Sequence, residues 1–131
     1  MKNNPDVKYI IKELPILGNQ SVIAAQALLS VLLKNPNEVY RNFSEMLMTH
    51  NGTINVNTLK DFAKKAGAKD PDLETAMKSE EVNLMIAKNM ALAKELSIQG
   101  TPTFVIGDQI IRGFISENSL RELIEIIRER L

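Results

Sequence analysis

The stretch Gly100-Thr101-Pro102-Thr103-Phe104-Val105-Ile106-Gly107 limits what this chain can fold into more than any other. Upstream of it the apolar residues recur at helical spacing, and here the period changes to that of a strand. Proline has a fixed φ and no amide hydrogen, so it is kept out of sheet interiors and belongs at a strand entrance. Pro102 therefore marks the mouth of a strand over 103–106. Gly107-Asp108 supplies a tight turn, and a second strand follows over 109–112. A proline at such an entrance, above all in the cis form, leaves neighbouring backbone groups free to meet another chain.

The rest of the chain is mostly helical in pattern. Residues 6–17 carry Val7, Tyr9, Ile10 and Ile11, a strand-forming set that Pro15 ends. After Gly18, with Asn19 or Ser21 as cap, Val22, Ala25, Leu28, Leu29 and Leu32 mark a first amphipathic helix up to Asn35-Pro36. A second helix runs from Pro36 or Asn37 to about His50, with Tyr40, Phe43 and Leu47 facing inward, and Asn51-Gly52 stops it. A third starts near Asn55 and ends at Gly67. Asp70-Pro71 opens a short fourth helix reaching about Lys78. Ser79 caps a fifth helix, with Val82, Met85, Ile86, Asn89, Ala93 and Leu96 on its main stripe, that ends by Gln99-Gly100. Ser116 caps a final helix whose apolar face is Leu120, Leu123, Ile124, Ile127 and Leu131.

The resulting order is strand, five helices, hairpin, helix: a helix-rich α/β chain over 1–131. A sheet of so few strands leaves an edge poorly covered. The expected remedy is a missing neighbour, either upstream sequence or a second copy.

Composition removes several classes of function. With 16 basic and 16 acidic side chains, the 131 residues carry no net charge, which disfavours nucleic acid and anionic membranes as partners. No apolar run is long enough to span a bilayer, so no membrane insertion is expected. Met1-Lys2-Asn3-Asn4-Pro5-Asp6 lacks the apolar core of a signal peptide, so the chain as written is expected to stay in the cytoplasm where it is made. The absence of cysteine excludes disulfides, thiolate metal sites and thiol catalysis within this polypeptide. Glu80-Glu81 and the Asp70/Asp72 pair sit at helix starts, where caps and the helix dipole account for them, so no metal or cofactor is expected. His50, the sole histidine, reads as a last-turn residue near the negative end of a helix rather than an acid–base group. Met46, Met77 and Met85 read as core, and Met48 and Met90 as surface. Arg112, Arg121, Glu122, Glu125, Arg128, Glu129 and Arg130 read as the polar side of the last helix.

Three passages together resemble the DsbA-like family of thiol-disulfide oxidoreductases, a thioredoxin fold with a helical insertion. They are Val7-Lys8-Tyr9-Ile10-Ile11-Lys12-Glu13-Leu14-Pro15-Ile16-Leu17-Gly18, the helical block ending Leu92-Ala93-Lys94-Glu95-Leu96-Ser97-Ile98-Gln99, and the Gly100–Gly107 stretch. With Ile110-Ile111-Arg112-Gly113 and the final helix, they cover nearly the whole chain. The resemblance implies one domain over 1–131, with a helical insertion at roughly 19–99 and thioredoxin-type elements at roughly 6–17 and 101–131. It implies that Pro102 matches the family's cis-proline and that the Thr101 backbone pairs with a substrate strand.

The family's Cys-x-x-Cys helix would precede Val7, and this chain has no counterpart to it. The expectation is therefore a truncated or split oxidoreductase homologue, redox-inactive by itself and with no catalytic residue. Its partners would be an unfolded or extended peptide, and a second copy or a separate N-terminal piece. A non-catalytic peptide-binding or self-assembly module, or a gene fragment without independent function, stands as the alternative. Members of the family usually work outside the cytoplasm, which sets the resemblance against the missing export signal.

Overall fold

The computed structural model describes residues 3–69 and 72–131. Among them it holds six helices and one hairpin: α1 (Asn19–Lys34), α2 (Asn37–Met48), α3 (Val56–Ala66), α4 (Leu73–Met77), α5 (Glu80–Glu95), β1 (Thr103–Ile106), β2 (Gln109–Arg112) and α6 (Glu117–Arg130). The chain divides into two compact units, Met1–Met90 and Ala91–Leu131.

The first unit is a helical block. α1 packs on α2, α3 and α4, and α2 packs on α3. The contacts are made by the stripes that periodicity marks: Leu28 and Val31 from α1, Tyr40, Phe43 and Leu47 from α2, Leu59 and Ala63 from α3. Phe43 and Leu59 are fully buried at the centre. Two side-chain amides fasten the ends of α1 to the segments flanking α3. The Ile54 N–H donates to Gln20 Oε1 at 3.0 Å, and the Lys69 N–H donates to Asn35 Oδ1 at 3.1 Å. Met77 is buried and Met85 half-buried, while Met48 and Met90 are exposed.

Most helix boundaries follow local chemistry. Asn55 caps α3 by accepting from the Thr58 N–H at 2.9 Å, and Gly67 ends it in the left-handed region at φ 101°. Ser79 accepts from the Val82 N–H at 3.3 Å. The expected Asp70-Pro71 cap lies outside the described residues. Asp72 caps α4 instead, accepting from both the Thr75 hydroxyl and its N–H, and these bonds hold its carboxyl below the ordinary range, the hydroxyl contributing most. That stabilisation is present above the ordinary carboxylate pKa and is lost as acid protonates the folded state.

Three boundary expectations are corrected. Neither Asn19 nor Ser21 caps α1; Gly18 occupies the cap position with no side-chain bond. His50 lies beyond α2 rather than in its last turn, because the Thr49 N–H already closes the helix onto the Glu45 carbonyl at 3.1 Å. The His50 ring meets Phe62 edge-on, with centroids 5.2 Å apart. α5 stops at Glu95, before Gln99-Gly100. Ser97 takes a left-handed φ of 57°, its N–H donates to the Lys94 carbonyl, and the Ile98 N–H donates to the Ala93 carbonyl at 2.7 Å. This is the Schellman ending, here without its usual glycine. A left-handed conformation costs an L-residue roughly 1–2 kcal/mol, partly offset for glycine by its greater freedom when unfolded. Ser97→Gly should therefore raise stability by about 0.5–1 kcal/mol, read as an increase in Tm.

The largest correction concerns residues 7–17. The expected N-terminal strand is absent: the sheet among the described residues has two strands, β1 and β2, and the 7–17 stretch joins no ladder. Strand propensity cannot act without a partner to pair with, and side-chain anchors hold this stretch instead. Pro15 is buried. The Tyr40 hydroxyl donates to the Glu13 carboxylate, and Asn89 Nδ2 donates to the Glu13 carbonyl at 2.9 Å. Tyr9, Ile10 and Ile11 are left exposed.

Burial above all, then the bond and charge of Glu13 and the neighbouring Tyr9, push the Tyr40 phenol above its ordinary pKa. An unfolded tyrosine ionises near pH ~10 while the folded one stays protonated. The stabilisation is therefore complete below that pH and lost above it, at up to about 1.4 kcal/mol per pH unit. Urea midpoints should fall on going from neutral to strongly alkaline solution. Tyr40→Phe should flatten that fall while lowering the midpoint at neutral pH.

In the second unit, β1 and β2 pair antiparallel with Thr103 opposite Arg112 and Ile106 opposite Gln109, closed by the Gly107-Asp108 turn. Gly107 has φ 60°, and a Cβ there would lie 3.3 Å from Ile127 of α6. The turn thus rests directly on the last helix. Ser116 caps α6 by accepting from the Ser119 N–H at 3.2 Å. Ile124 is buried, with Leu120, Leu123 and Ile127 half-buried, but Leu131 is fully exposed and does not extend the apolar face. Arg112 belongs to β2 rather than to the last helix, and its Nη2 lies 3.4 Å from the Ser97 carbonyl oxygen as donor.

Candidate functional site

The hairpin register decides which backbone groups at Thr101–Ile106 are free. The Gly113 N–H donates to the Pro102 carbonyl at 2.9 Å, directly beyond the Thr103–Arg112 pair. In an antiparallel ladder, residues exchanging hydrogen bonds alternate with residues that do not. Phe104 and Ile106 therefore bond to β2, while the N–H and C=O groups of Thr103 and Val105 point to the opposite edge. Among the described residues no strand pairs with that edge.

Thr101 and Pro102 lead into this open edge, and both are exposed. The peptide bond between them is cis. Proline has no N–H to offer at this point, so the ladder bond to Gly113 uses only the Pro102 carbonyl. The Thr103 hydroxyl donates to the Gly100 carbonyl at 2.8 Å, closing the loop from within. The two residues singled out from the sequence thus stand side by side at the start of an unpaired strand edge. Sequence reasoning missed Phe114, which is 86% exposed immediately after the hairpin. An aromatic following the glycine that ends β2 was the available signal.

The chemistry open to this arrangement is recognition by backbone. An extended segment could add to β1 as a further strand, with main-chain hydrogen bonds supplying affinity. Thiol–disulfide exchange needs a thiolate, and the chain has no cysteine. Among the described residues no group of acidic or histidine side chains is placed to hold a metal ion, and no helix is long and apolar enough to cross a membrane.

The thioredoxin family profile matches residues 2–126. Disulfide bond formation protein D of Bacillus subtilis (strain 168) is 27% identical over 126 residues, which cover 92% of this chain and 56% of that protein. A thioredoxin-like oxidoreductase from Silicibacter pomeroyi DSS-3 superposes with a TM-score of 0.79 at 33% identity, over 90% of this chain and 66% of that one. The thiol-disulfide exchange protein alpha-DsbA2 from Wolbachia pipientis superposes with a TM-score of 0.85 at 30% identity, over 95% and 68%. The chain belongs to the thioredoxin family, among its DsbA-like thiol-disulfide oxidoreductases. It spans little more than half the length of the Bacillus subtilis relative.

Proposed function

We propose that this chain carries the substrate-contact loop of a DsbA-like oxidoreductase, with Thr101 and Pro102 leading an extended peptide onto the edge of β1. The observation that carries the reading is the register: the backbone groups of Thr103 and Val105 face outward beside the exposed Thr101–Pro102 loop. In this reading the 131 residues perform no exchange by themselves, because the attacking thiolate must come from outside them. The peptide is recognised by its extended main chain, which suits an unfolded segment of varied sequence better than one fixed motif.

Titration with a labelled extended peptide tests the binding step, and Thr101→Arg is the control, since a bulky charge there should obstruct entry. Saturable binding that the substitution weakens supports the reading. Absence of binding by the unsubstituted chain removes it. An insulin-reduction assay tests the chemical half: the pure chain should show no activity, and turnover by it would overturn the assignment.

A further inference from the structure

The turn between α2 and α3 holds a feature unrelated to peptide contact. Asn51 and Gly52 are both exposed there, and among the described residues no hydrogen bond engages the Asn51 side chain. Position 52 is crowded by a neighbouring side chain. Its backbone is not in the left-handed region, yet a Cβ would come within 2.9 Å of His50 Nε2 and 3.1 Å of Cε1. The ring lies edge-on to Phe62, with Nε2 3.4 Å from the Thr53 carbonyl oxygen. Glycine at this position lets the ring sit where it does and puts a residue without a side chain directly after an exposed asparagine.

We infer that Asn51 is a site of spontaneous deamidation, with this chain's own backbone as the nucleophile. The Gly52 amide nitrogen, unshielded by any Cβ, gives up its proton and attacks Asn51 Cγ. A C–N bond forms, the Cγ–Nδ2 bond breaks, and ammonia leaves. The resulting five-membered imide then takes up one water at either carbonyl. Opening at one carbonyl gives aspartate; opening at the other gives isoaspartate, with the backbone rerouted through the former side chain. No oxidant, metal or enzyme is required.

Each event converts a neutral amide to a carboxylate, so a chain with no net charge becomes one unit negative. The isoaspartate form also lengthens the backbone by one carbon between His50 and Thr53. That displaces the ring from the carbonyl it now faces.

The test is a time course of the folded 131-residue chain at mildly alkaline pH, beside the same chain in denaturant. Peptide mapping by mass spectrometry reads conversion at each asparagine, and isoelectric focusing reads the acidic form. The expected result is conversion at Asn51 within a few-fold of the denatured rate and ahead of every other asparagine, abolished in Asn51→Gln. Asn51 remaining an amide in the folded chain while the denatured chain converts would overturn the inference. Faster conversion at another asparagine of the folded chain would also overturn it.

Discussion

Alanine at position 43 should bring the helical unit close to unfolding. Phe43 is completely buried and belongs to the cluster that includes Ala27, Leu47, Leu59 and Ala63, so it draws α1, α2 and α3 together. Truncating a buried phenylalanine costs about 3–5 kcal/mol, the lost transfer free energy plus the cavity left behind. Domains are stable by only about 0.05–0.15 kcal/mol per residue, so a loss of that size in a 90-residue unit is a large fraction of the whole. The urea midpoint read by far-ultraviolet circular dichroism should fall by roughly half, with loss of cooperativity on mild heating. Phe43→Leu keeps most of the volume and should cost less than about 2 kcal/mol. A loss below about 1 kcal/mol for the alanine variant would contradict the central position given to this ring.

The second large effect separates the two edges of β1. Val105→Pro removes an N–H that points away from β2, so the hairpin should persist while the outer edge loses a donor. Affinity for an extended peptide should fall about tenfold or more, since one main-chain bond is worth roughly 1 kcal/mol and the ring also hinders close approach. Phe104→Pro removes an N–H that bonds to β2 and should disrupt the hairpin itself. The pair is read by peptide titration together with amide chemical shifts of Gln109 to Arg112. Equal behaviour of the two variants would mean that the alternation has been assigned wrongly.

Much of this architecture was legible because it rests on local chemistry. Asn55, Gly67 and Ser116 mark helix ends through groups that act within a few residues, and the helices before the hairpin follow from such end signals together with apolar spacing. What could not be read depended on partners distant in sequence or on residues acting outside their usual role. Val7 to Ile11 have the composition of a strand, but a strand exists only when a neighbour completes its ladder, and none does so among the described residues. Ser97 ends α5 in a conformation normally announced by glycine, so the sequence pattern carries the helix several residues past its actual end. His50 reads as a helix-end residue because neither its contact with Phe62 nor the closure of α2 at Thr49 has a sequence signature.

At the candidate site, the position of Pro102 could be read from its place before an apolar run. Which amides face outward could not, because that alternation is set by the Gly113 bond to the Pro102 carbonyl. Family membership adds the class of chemistry, and the absence of cysteine removes its reactive step from these residues.

The proposed role of the outer edge of β1 is to receive an extended peptide. Its most direct test is amide hydrogen exchange, followed by NMR with and without an extended peptide. The Thr103 and Val105 amides should exchange rapidly in the free chain and slow markedly on peptide addition, while the Phe104 and Ile106 amides stay protected throughout. Binding that leaves Thr103 and Val105 exchanging as before would place the peptide elsewhere and rule out pairing at this edge.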